Sequence, residues 1–299
     1  MTFTDRAYGA LAGGVAGLEI GKPAFGLTRY EIQKKYDRIT GLTDDAGQAG
    51  SPEGGIMLDE ARVLAALLIR DGRFDAAAFK TDLQKAGAQR PADMKQRAMS
   101  AETFKSVPIG IKYSYDIPVC IDTVASIAAM HDDSSPALAG ACAVAAAVAA
   151  GIEGNCTRDD VMQLAFDSAV YGERRGKLGC GPSLSRRIKL AKKLVADAEG
   201  AELGYLVSEL TDVFGSEDTV YESVPLVLGI FYAVNGNAKK GIEEAVNAGG
   251  AADTNAALCG AVCGAFSGIN VIPVEWSSRA EEVLGTDLRE AAAKLARRV

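Results

Sequence analysis

The sequence has a single histidine, and none of its six cysteines forms a CxxC pair with another. Zinc sites take their ligands from clusters of cysteine and histidine, and disulfide-stapled folds depend on regularly spaced cysteines in a short chain. The chain therefore lacks the residues for a zinc framework or a disulfide scaffold. We interpret the cysteines as reduced core thiols of a cytoplasmic protein.

The chain also lacks an excess of positive charge. The 32 lysines and arginines are outnumbered by 39 acidic residues, which gives a net charge of -7. Binding to nucleic acid without sequence preference requires clustered basic side chains, so we expect a small-molecule partner instead. Residues 136–152 carry no charge, but more than half of them are alanine. This composition predicts a buried helix and no membrane span.

Apolar residues at helical spacing dominate the chain, and no alternating run of apolar and polar residues predicts a sheet. No linker rich in proline, serine or charge divides it, so we predict one all-α domain over residues 1–299. The predicted helices are 3–18, 58–71, 75–85, 119–130, 136–151, 159–171, 183–198, 221–234, 238–247, 253–267 and 278–298. Residues 21–55 lack clear periodicity, and loops of this length often cover functional sites.

A glycine pair followed by oxygen-bearing side chains is the most informative motif, in the segment GGAADTN. Gly249 and Gly250 allow a tight turn, and Asp253 and Thr254 supply hard oxygen atoms at a helix start. The pattern suits a metal or ligand loop, and the structural alternative is an ordinary N-cap. Glycine recurs every fourth residue from 260 to 268, so another helix or a ligand can approach this helix closely.

The stretch 249–268, with VNA before it and VIP after it, resembles the ADP-ribosylglycohydrolase family of the dinitrogenase reductase activating type, which reads Gly-Gly-Asp-x-Asp-Thr at the start of this stretch. Further matches are GALAG at 9–13, the segment 127–137, GPS at 181–183 and ESVP at 222–225. The resemblance implies an all-helical orthogonal bundle. It also implies hydrolysis of N-glycosidic or related ribosyl bonds with two metal ions, usually magnesium or manganese.

The other metal ligands of the family form a Thr-Asp-Asp motif on the first turn of a helix, and two segments could correspond to it. Residues 43–45 match its letters, but a glycine-rich stretch follows that cannot propagate a helix. We favour residues 58–60, Leu-Asp-Glu, because an amphipathic helix begins there. The structural alternative for Asp59 and Glu60 is the favourable interaction of acidic side chains with a helix N-terminus.

On this alignment the metal motif is degraded. Leucine replaces the threonine at position 58, Glu60 is one methylene longer than aspartate, and Ala251 removes a carboxylate. The first helix reads GLEIG at 17–21 where the family has Gly-Asp-Ala-Leu-Gly, and Phe25 stands where a glutamate follows. The oxygen ligands that remain are Asp59, Glu60, Asp253 and Thr254.

These four residues could hold one Mg²⁺ or Mn²⁺ if they converge, but the losses argue against the usual pair of ions. Metal-independent acid–base chemistry is the alternative, because carboxylates crowded together without cations raise one another's pKa values.

Several other polar residues are candidates for substrate contact. The predicted substrate-binding residues are Glu222, Asp116, His131, Ser183, Gly249 and Gly250. Ser183 follows a glycine-containing loop in the basic segment 173–193, where backbone amides before a helix could bind phosphates. A histidinium at a helix end, a cap or a surface acid is the structural alternative for His131, Glu222 and Asp116.

We predict a divergent hydrolase that acts on an N-glycosidic bond of ribosyl or ADP-ribosyl type. In this prediction Asp59 or Glu60 activates water, and Asp253 and Thr254 bind an ion or a substrate hydroxyl. Two alternatives stay open. One is a catalytically silent ligand-binding or regulatory homologue, and the other is an enzyme of changed, metal-independent chemistry on the same fold.

Overall fold

The computed structural model describes residues 1–43, 50–88 and 100–298. These residues form fifteen α-helices and no β-strand, with one isolated bridge between Ser134 and Lys177. The all-α prediction is confirmed. The helices are α1 (Phe3–Gly21), α2 (Arg29–Tyr36), α3 (Pro52–Asp71), α4 (Ala76–Ala86), α5 (Ser106–Lys112), α6 (Ile117–Ala128), α7 (Ser135–Glu153), α8 (Arg158–Arg175), α9 (Leu184–Asp197), α10 (Leu203–Phe214), α11 (Val220–Ala233), α12 (Ala238–Asn247), α13 (Ala252–Ser267), α14 (Val274–Leu284) and α15 (Leu288–Leu295).

The helix after the glycine pair, α13, packs backbone to backbone against α1. Gly9 and Gly13 of α1 lie against Gly264 and Gly260 of α13, and a β-carbon at any of the four would collide with the backbone carbonyl of its partner. Close approach of this kind requires residues without a side chain. The regular glycine spacing predicted such a neighbour, and the structure identifies it as α1.

The long apolar helix α7 lies inside the bundle. By length and composition it could cross a membrane, yet 89% of its most apolar 18-residue stretch is buried inside the protein. It packs against α5, α6, α8 and α13. The prediction of a buried helix for residues 136–152 is therefore confirmed.

The start of α3 differs from the prediction. The helix begins at Pro52 and not at position 58, with Ser51 as its N-cap. The Ser51 side chain accepts a hydrogen bond of 2.9 Å from the backbone N–H of Gly54. A serine cap followed by proline at the first helical position is a strong start signal. It outweighs the low helix propensity of the two glycines that follow.

The sequence prediction also missed α2, α5 and α10. The predicted loop 21–55 contains α2, which a capping box between Thr28 and Glu31 starts. The predicted helix 278–298 is two helices, because Gly285 takes a left-handed conformation with φ of 61° and ends α14. Buried apolar residues from Ala7 to Leu295 form one core cluster. The single domain over residues 1–299 stays a prediction.

Candidate functional site

The glycine pair forms a turn that is held by two neighbouring loops. Gly249 and Gly250 have φ values of 77° and 65°, the left-handed region that favours glycine. The N–H of Gly250 donates to the carbonyl of Leu27 (2.9 Å), and its carbonyl accepts from the N–H of Gly26 (2.8 Å). The backbone amides of this turn thus have protein partners, which position the start of α13.

Asp253, in the first turn of α13, is completely buried. Its Oδ2 accepts hydrogen bonds from the backbone N–H of Ser51 (2.7 Å) and from the Ser51 hydroxyl (2.8 Å). Its Oδ1 accepts the backbone N–H of Thr254 at 2.8 Å. The starts of α3 and α13 therefore meet at this carboxylate. We call Leu18, Ser51, Gly54, Asp253 and Thr254 the α3–α13 junction.

The predicted cluster of Asp59, Glu60 and Asp253 does not form, because α3 begins earlier than predicted. Asp59 lies about two turns into the helix with a side chain that is 54% exposed, 3.5 Å from the guanidinium of Arg62. Glu60 is buried and forms an ion pair of 2.9 Å with the buried Lys105. Within residues 1–43, 50–88 and 100–298, no group of three or more histidine, cysteine or acidic side chains could hold a metal.

The surroundings of Asp253 Oδ2 do not fit a hard cation. A β-carbon at Gly54 would lie 2.9 Å from Leu18 Cδ1, 2.9 Å from Ser51 Oγ and 3.2 Å from Asp253 Oδ2. A β-carbon at Gly50 would lie 2.7 Å from Lys22 Cγ and 2.8 Å from the same Oδ2. Within the described residues, this oxygen thus accepts from the two donors of Ser51, and a β-carbon added at Gly50 or Gly54 would crowd it, whereas Mg²⁺ needs about six oxygen ligands.

Thr254, the other predicted ligand at this helix start, is buried, and its Oγ1 has no hydrogen-bond partner among the residues that the structure describes. The Thr254 hydroxyl and the remaining lone pair of the Asp253 carboxylate are too few ligands to coordinate a cation. The junction, as far as the structure describes it, therefore does not fit the metal pair. Asp44 and Asp45, in the second segment that matches the motif by letters, lie outside the described residues.

A second group of polar residues lies around a cavity of about 210 Å³ at the starts of α9 and α11. Its polar lining includes Glu173, Ser183, Tyr221 and the loop glycines Gly179 and Gly181. We call it the α9–α11 cavity. Burial raises the pKa of the Tyr221 hydroxyl, and the nearby Asp132 and Glu173 carboxylates raise it further. This phenol therefore stays neutral near pH 7 and can donate a hydrogen bond.

Glu173 fixes the loop before α9. Its Oε1 accepts the Ser183 hydroxyl (2.9 Å) and the Ser185 N–H (3.0 Å), and its Oε2 accepts the Ser185 hydroxyl (2.7 Å). Ser183 also caps α9 by accepting the N–H of Arg186. The predicted substrate-binding serine thus lines a cavity, in an orientation that Glu173 sets.

Glu222 is half-buried in the first turn of α11. Its Oε2 accepts the backbone N–H of Glu217 at 2.9 Å. The preceding residue of that loop, Ser216, accepts through its carbonyl the N–H of Ala251 (2.9 Å) and the side-chain amide of Asn255 (2.8 Å). Asn255 in turn accepts the Ser223 hydroxyl. These bonds tie the start of α11, with Glu222, to the start of α13.

The other two predicted substrate residues lie at the two ends of α6. Asp116 caps this helix by accepting the N–H of Val119 at 3.1 Å. His131 lies in the turn after the helix. It is half-buried, and its backbone N–H donates to the carbonyl of Ala128 at 3.0 Å. The cap is the structural alternative that the sequence left open for Asp116. Substrate contact by either residue stays a prediction.

Comparison with known proteins agrees with this architecture. A family model described as ADP-ribosylglycohydrolase matches residues 1–299. The chain belongs to the ADP-ribosylglycohydrolase family. A solved structure described as an ADP-ribosylglycohydrolase-related protein complex has a TM-score of 0.69, covers 99% of this chain and 98% of its own, and is 18% identical. At that identity it supports the fold alone.

A sequence relative is the uncharacterized protein YegU of Escherichia coli (strain K12), 28% identical over 182 residues. The match covers 61% of this chain and 54% of YegU, so it spans about half the length of that relative. The ADP-ribosylglycohydrolase family, to which the chain belongs, is named for a glycohydrolase activity. The dinitrogenase reductase activating subtype stays a prediction.

Sequence reasoning missed Ser51, Glu173 and Tyr221. A serine before proline is a cap signal that could have identified the start of α3 and thereby Ser51. Neither Glu173 nor Tyr221 carries a local signal, because each acquires its role from residues that lie elsewhere in the chain and meet it only in the fold.

Proposed function

We propose that this ADP-ribosylglycohydrolase family member hydrolyses an N-glycosidic bond of a ribosyl or ADP-ribosyl-type substrate without the usual pair of metal ions. The observation that supports this proposal is that hydrogen bonds connect the starts of α3, α11 and α13, and that Tyr221 in the first turn of α11 lines the α9–α11 cavity. Helix starts present free N–H groups and favour negative charge, such as the diphosphate of ADP-ribose.

The substrate would bind in the α9–α11 cavity. Backbone amides of the loop before α9 suit a phosphate, and the neutral hydroxyl of Tyr221 suits a ribose or phosphate oxygen. Ser183 and Glu173 would hold the loop in place, since their hydrogen bonds fix its last residues. These contacts select for an anionic, hydroxyl-rich ligand.

Hydrolysis needs a carboxylate that activates water against the anomeric carbon as the nitrogen leaving group departs with a proton. We assign water activation to Glu222. It is half-buried and follows the cavity residue Tyr221 in sequence, and among the described residues no donor forms a hydrogen bond with its Oε1. This assignment replaces the predicted roles of Asp59 and Glu60, one of which is exposed beside Arg62 and the other ion-paired in the core.

The test is turnover of ADP-ribosylated arginine, ADP-ribose derivatives and nucleosides by the purified chain, followed by chromatography of released ribosyl products. Glu222→Gln should lower turnover by about 10² to 10⁴-fold and leave ligand affinity within about threefold. The matched control is Glu217→Gln, an exposed acid of the adjoining loop, which should keep full turnover. Equal turnover in the two variants would contradict the assignment.

A catalytically silent ligand-binding homologue is the second candidate. The observation that favours it is that Asp253 is completely buried. Its Oδ2 accepts hydrogen bonds from the Ser51 backbone N–H and hydroxyl. Binding of ADP-ribose with no turnover of any of these substrates, in wild-type protein with or without added Mg²⁺ or Mn²⁺, would support it. A cytoplasmic location, expected from the free thiols, stays a prediction.

A further inference from the structure

Two buried side chains tie α13 to the loop before α11. Asn255 of α13 and Ser223 of α11 are completely buried. The side-chain amide of Asn255 donates to the carbonyl of Ser216 at 2.8 Å, and its Oδ1 accepts the Ser223 hydroxyl. That hydroxyl also lies 3.1 Å from the carbonyl oxygen of Glu217. Asn255 therefore contacts Ser216 directly and reaches Glu217 through Ser223.

The same loop fits around the Glu222 carboxylate. Gly215 has φ of 85° and ψ of -179°, a backbone conformation that is open almost only to glycine. A β-carbon at this position would collide with Glu222 Oε2. The backbone N–H of Glu217 donates to that oxygen at 2.9 Å. The backbone at positions 215 and 217 thus fixes one carboxylate oxygen of Glu222.

The glycine-pair motif supplies a second anchor for this loop. The Ser216 carbonyl also accepts the backbone N–H of Ala251 at 2.9 Å. A β-carbon at Gly250 would collide with the same carbonyl oxygen, so a residue without a side chain is needed for this close approach. The segment GGAADTN, which predicted a metal or ligand loop, therefore holds the backbone that binds Glu222.

We propose that Asn255 is a positioning residue for Glu222, and this rests on the proposed function, in which Glu222 activates water. Asn255 acts through Ser216 and Glu217, whose fixed backbone directs the Glu217 N–H at Oε2. The last torsion of a glutamate side chain has a broad energy profile, so a carboxylate without such a donor samples many orientations. A hydrogen bond to a charged oxygen is strong and restricts this rotation. Oε1 is then the oxygen that remains to take the proton of water.

The first measurement follows the geometry and needs no turnover. Because the Glu217 amide proton donates to Glu222, its NMR chemical shift should follow the ionisation of that carboxylate in a pH titration, and Glu222→Gln should abolish this response. Asn255→Ala removes both side-chain hydrogen bonds of the asparagine, so the response should fall by about half or more. An unchanged response in Asn255→Ala would overturn the proposal.

The second measurement is the turnover of a substrate that the wild-type chain hydrolyses. In Asn255→Ala, kcat should fall by about tenfold or more while KM stays within about threefold, because a misdirected base slows the chemical step without weakening binding. A reduced NMR response in a chain that turns over no substrate would contradict the proposed hydrolysis alone and would support the positioning of Glu222 by Asn255.

The matched control is Asn247→Ala on α12. The Asn247 side-chain amide donates to the carbonyl of Ile39 at 2.7 Å, so its loss should lower Tm while the Glu217 response and kcat stay as in wild type. An equal fall of kcat in the two alanine variants would show a merely structural role for Asn255 and overturn the proposal. If Asn255→Ala does not fold, Asn255→Asp decides in its place, because it keeps the size and the Oδ1 acceptor and removes the donor to Ser216.

Discussion

The α3–α13 junction and the α9–α11 cavity are both built from the starts of two helices, yet they differ in what fills them. At the junction, Asp253 is fully buried, its Oδ2 accepts hydrogen bonds from both donors of Ser51, and a β-carbon added at Gly50 or Gly54 would lie 2.8 or 3.2 Å from that oxygen. At the cavity, a volume of about 210 Å³ stays open beside Ser183 and Tyr221. The junction is closely packed, whereas the cavity has room for a ligand.

An aspartate that matches a family motif can therefore also connect two helices. Asp253 and Thr254 match the family's letters, but Asp253 now connects two helices through hydrogen bonds to Ser51. We therefore expect substitutions at the junction to alter stability, and substitutions at the cavity to alter ligand affinity.

The largest expected effect is at Asp253. Asp253→Ala removes the acceptor of three hydrogen bonds and leaves the buried N–H and O–H of Ser51 without partners, so the free energy of unfolding should fall by about 3 kcal/mol. The exposed Asp59 is the control, and Asp59→Ala should change it by about 0.5 kcal/mol or less. Urea denaturation measures both. A larger loss in Asp59→Ala would break the distinction between the two acids.

The next effect separates two adjacent glycines of α3. A β-carbon at Gly54 would lie 2.9 Å from both Leu18 Cδ1 and Ser51 Oγ, so Gly54→Ala should cost about 1–3 kcal/mol. At Gly55 a β-carbon meets nothing within 4 Å, and Gly55→Ala should stabilise the helix by up to about 1 kcal/mol. Both variants are compared in urea. Stabilisation by Gly54→Ala would show that the junction is not tightly packed.

At the cavity, Tyr221→Phe tests the open site. It keeps the ring and removes the hydroxyl, so the affinity for ADP-ribose should fall by about five- to tenfold while Tm stays within about 2 °C of wild type. Titration calorimetry measures the affinity. Tyr205→Phe on α10, where the residue is 53% exposed, is the control and should bind as wild type does. Unchanged affinity in Tyr221→Phe would show that the ligand does not bind against this hydroxyl in the cavity.

The smallest effect concerns Glu244 on α12, a buried acid that pairs with the guanidinium of Arg38. Burial raises its pKa above the ordinary value of 4.5, and Arg38 opposes the rise. Because the folded state then holds the proton more tightly, this group's contribution to stability is largest at low pH. It declines as pH rises from 4.5 through the raised folded value.

Glu244→Gln should therefore flatten the dependence of unfolding free energy on pH in that window, measured by urea denaturation at a series of pH values. Glu275→Gln, at an exposed acid of α14, should leave the slope as in wild type. A steeper decline in Glu244→Gln than in wild type would contradict the direction of the pKa shift.

Much of the fold could be predicted from the sequence, because helical periodicity and glycine spacing are local. The burial of α7 and the close packing of α1 on α13 both follow from small apolar residues. The cluster of Asp59 and Glu60 with Asp253 was wrong for a physical reason. The boundary of α3 depends on the Ser51 cap and on the hydrogen bonds from Ser51 to Asp253. No local sequence pattern predicts those bonds, because the two residues are far apart in the chain.

The candidate site was predictable in part. Ser183 lines the α9–α11 cavity, and Glu222 follows the cavity residue Tyr221 in the first turn of α11. Glu173 carries no signal in sequence, because its partners meet it only when the helices pack.

Mn²⁺ titration of the wild-type protein, followed by electron paramagnetic resonance, decides whether Asp253 binds no metal, as we propose, while it connects two helix starts. We expect the signal of free Mn²⁺ to rise in proportion to the Mn²⁺ added, as it does in buffer. Loss of the signal of one or two ions per chain, restored in Asp253→Asn, would contradict it.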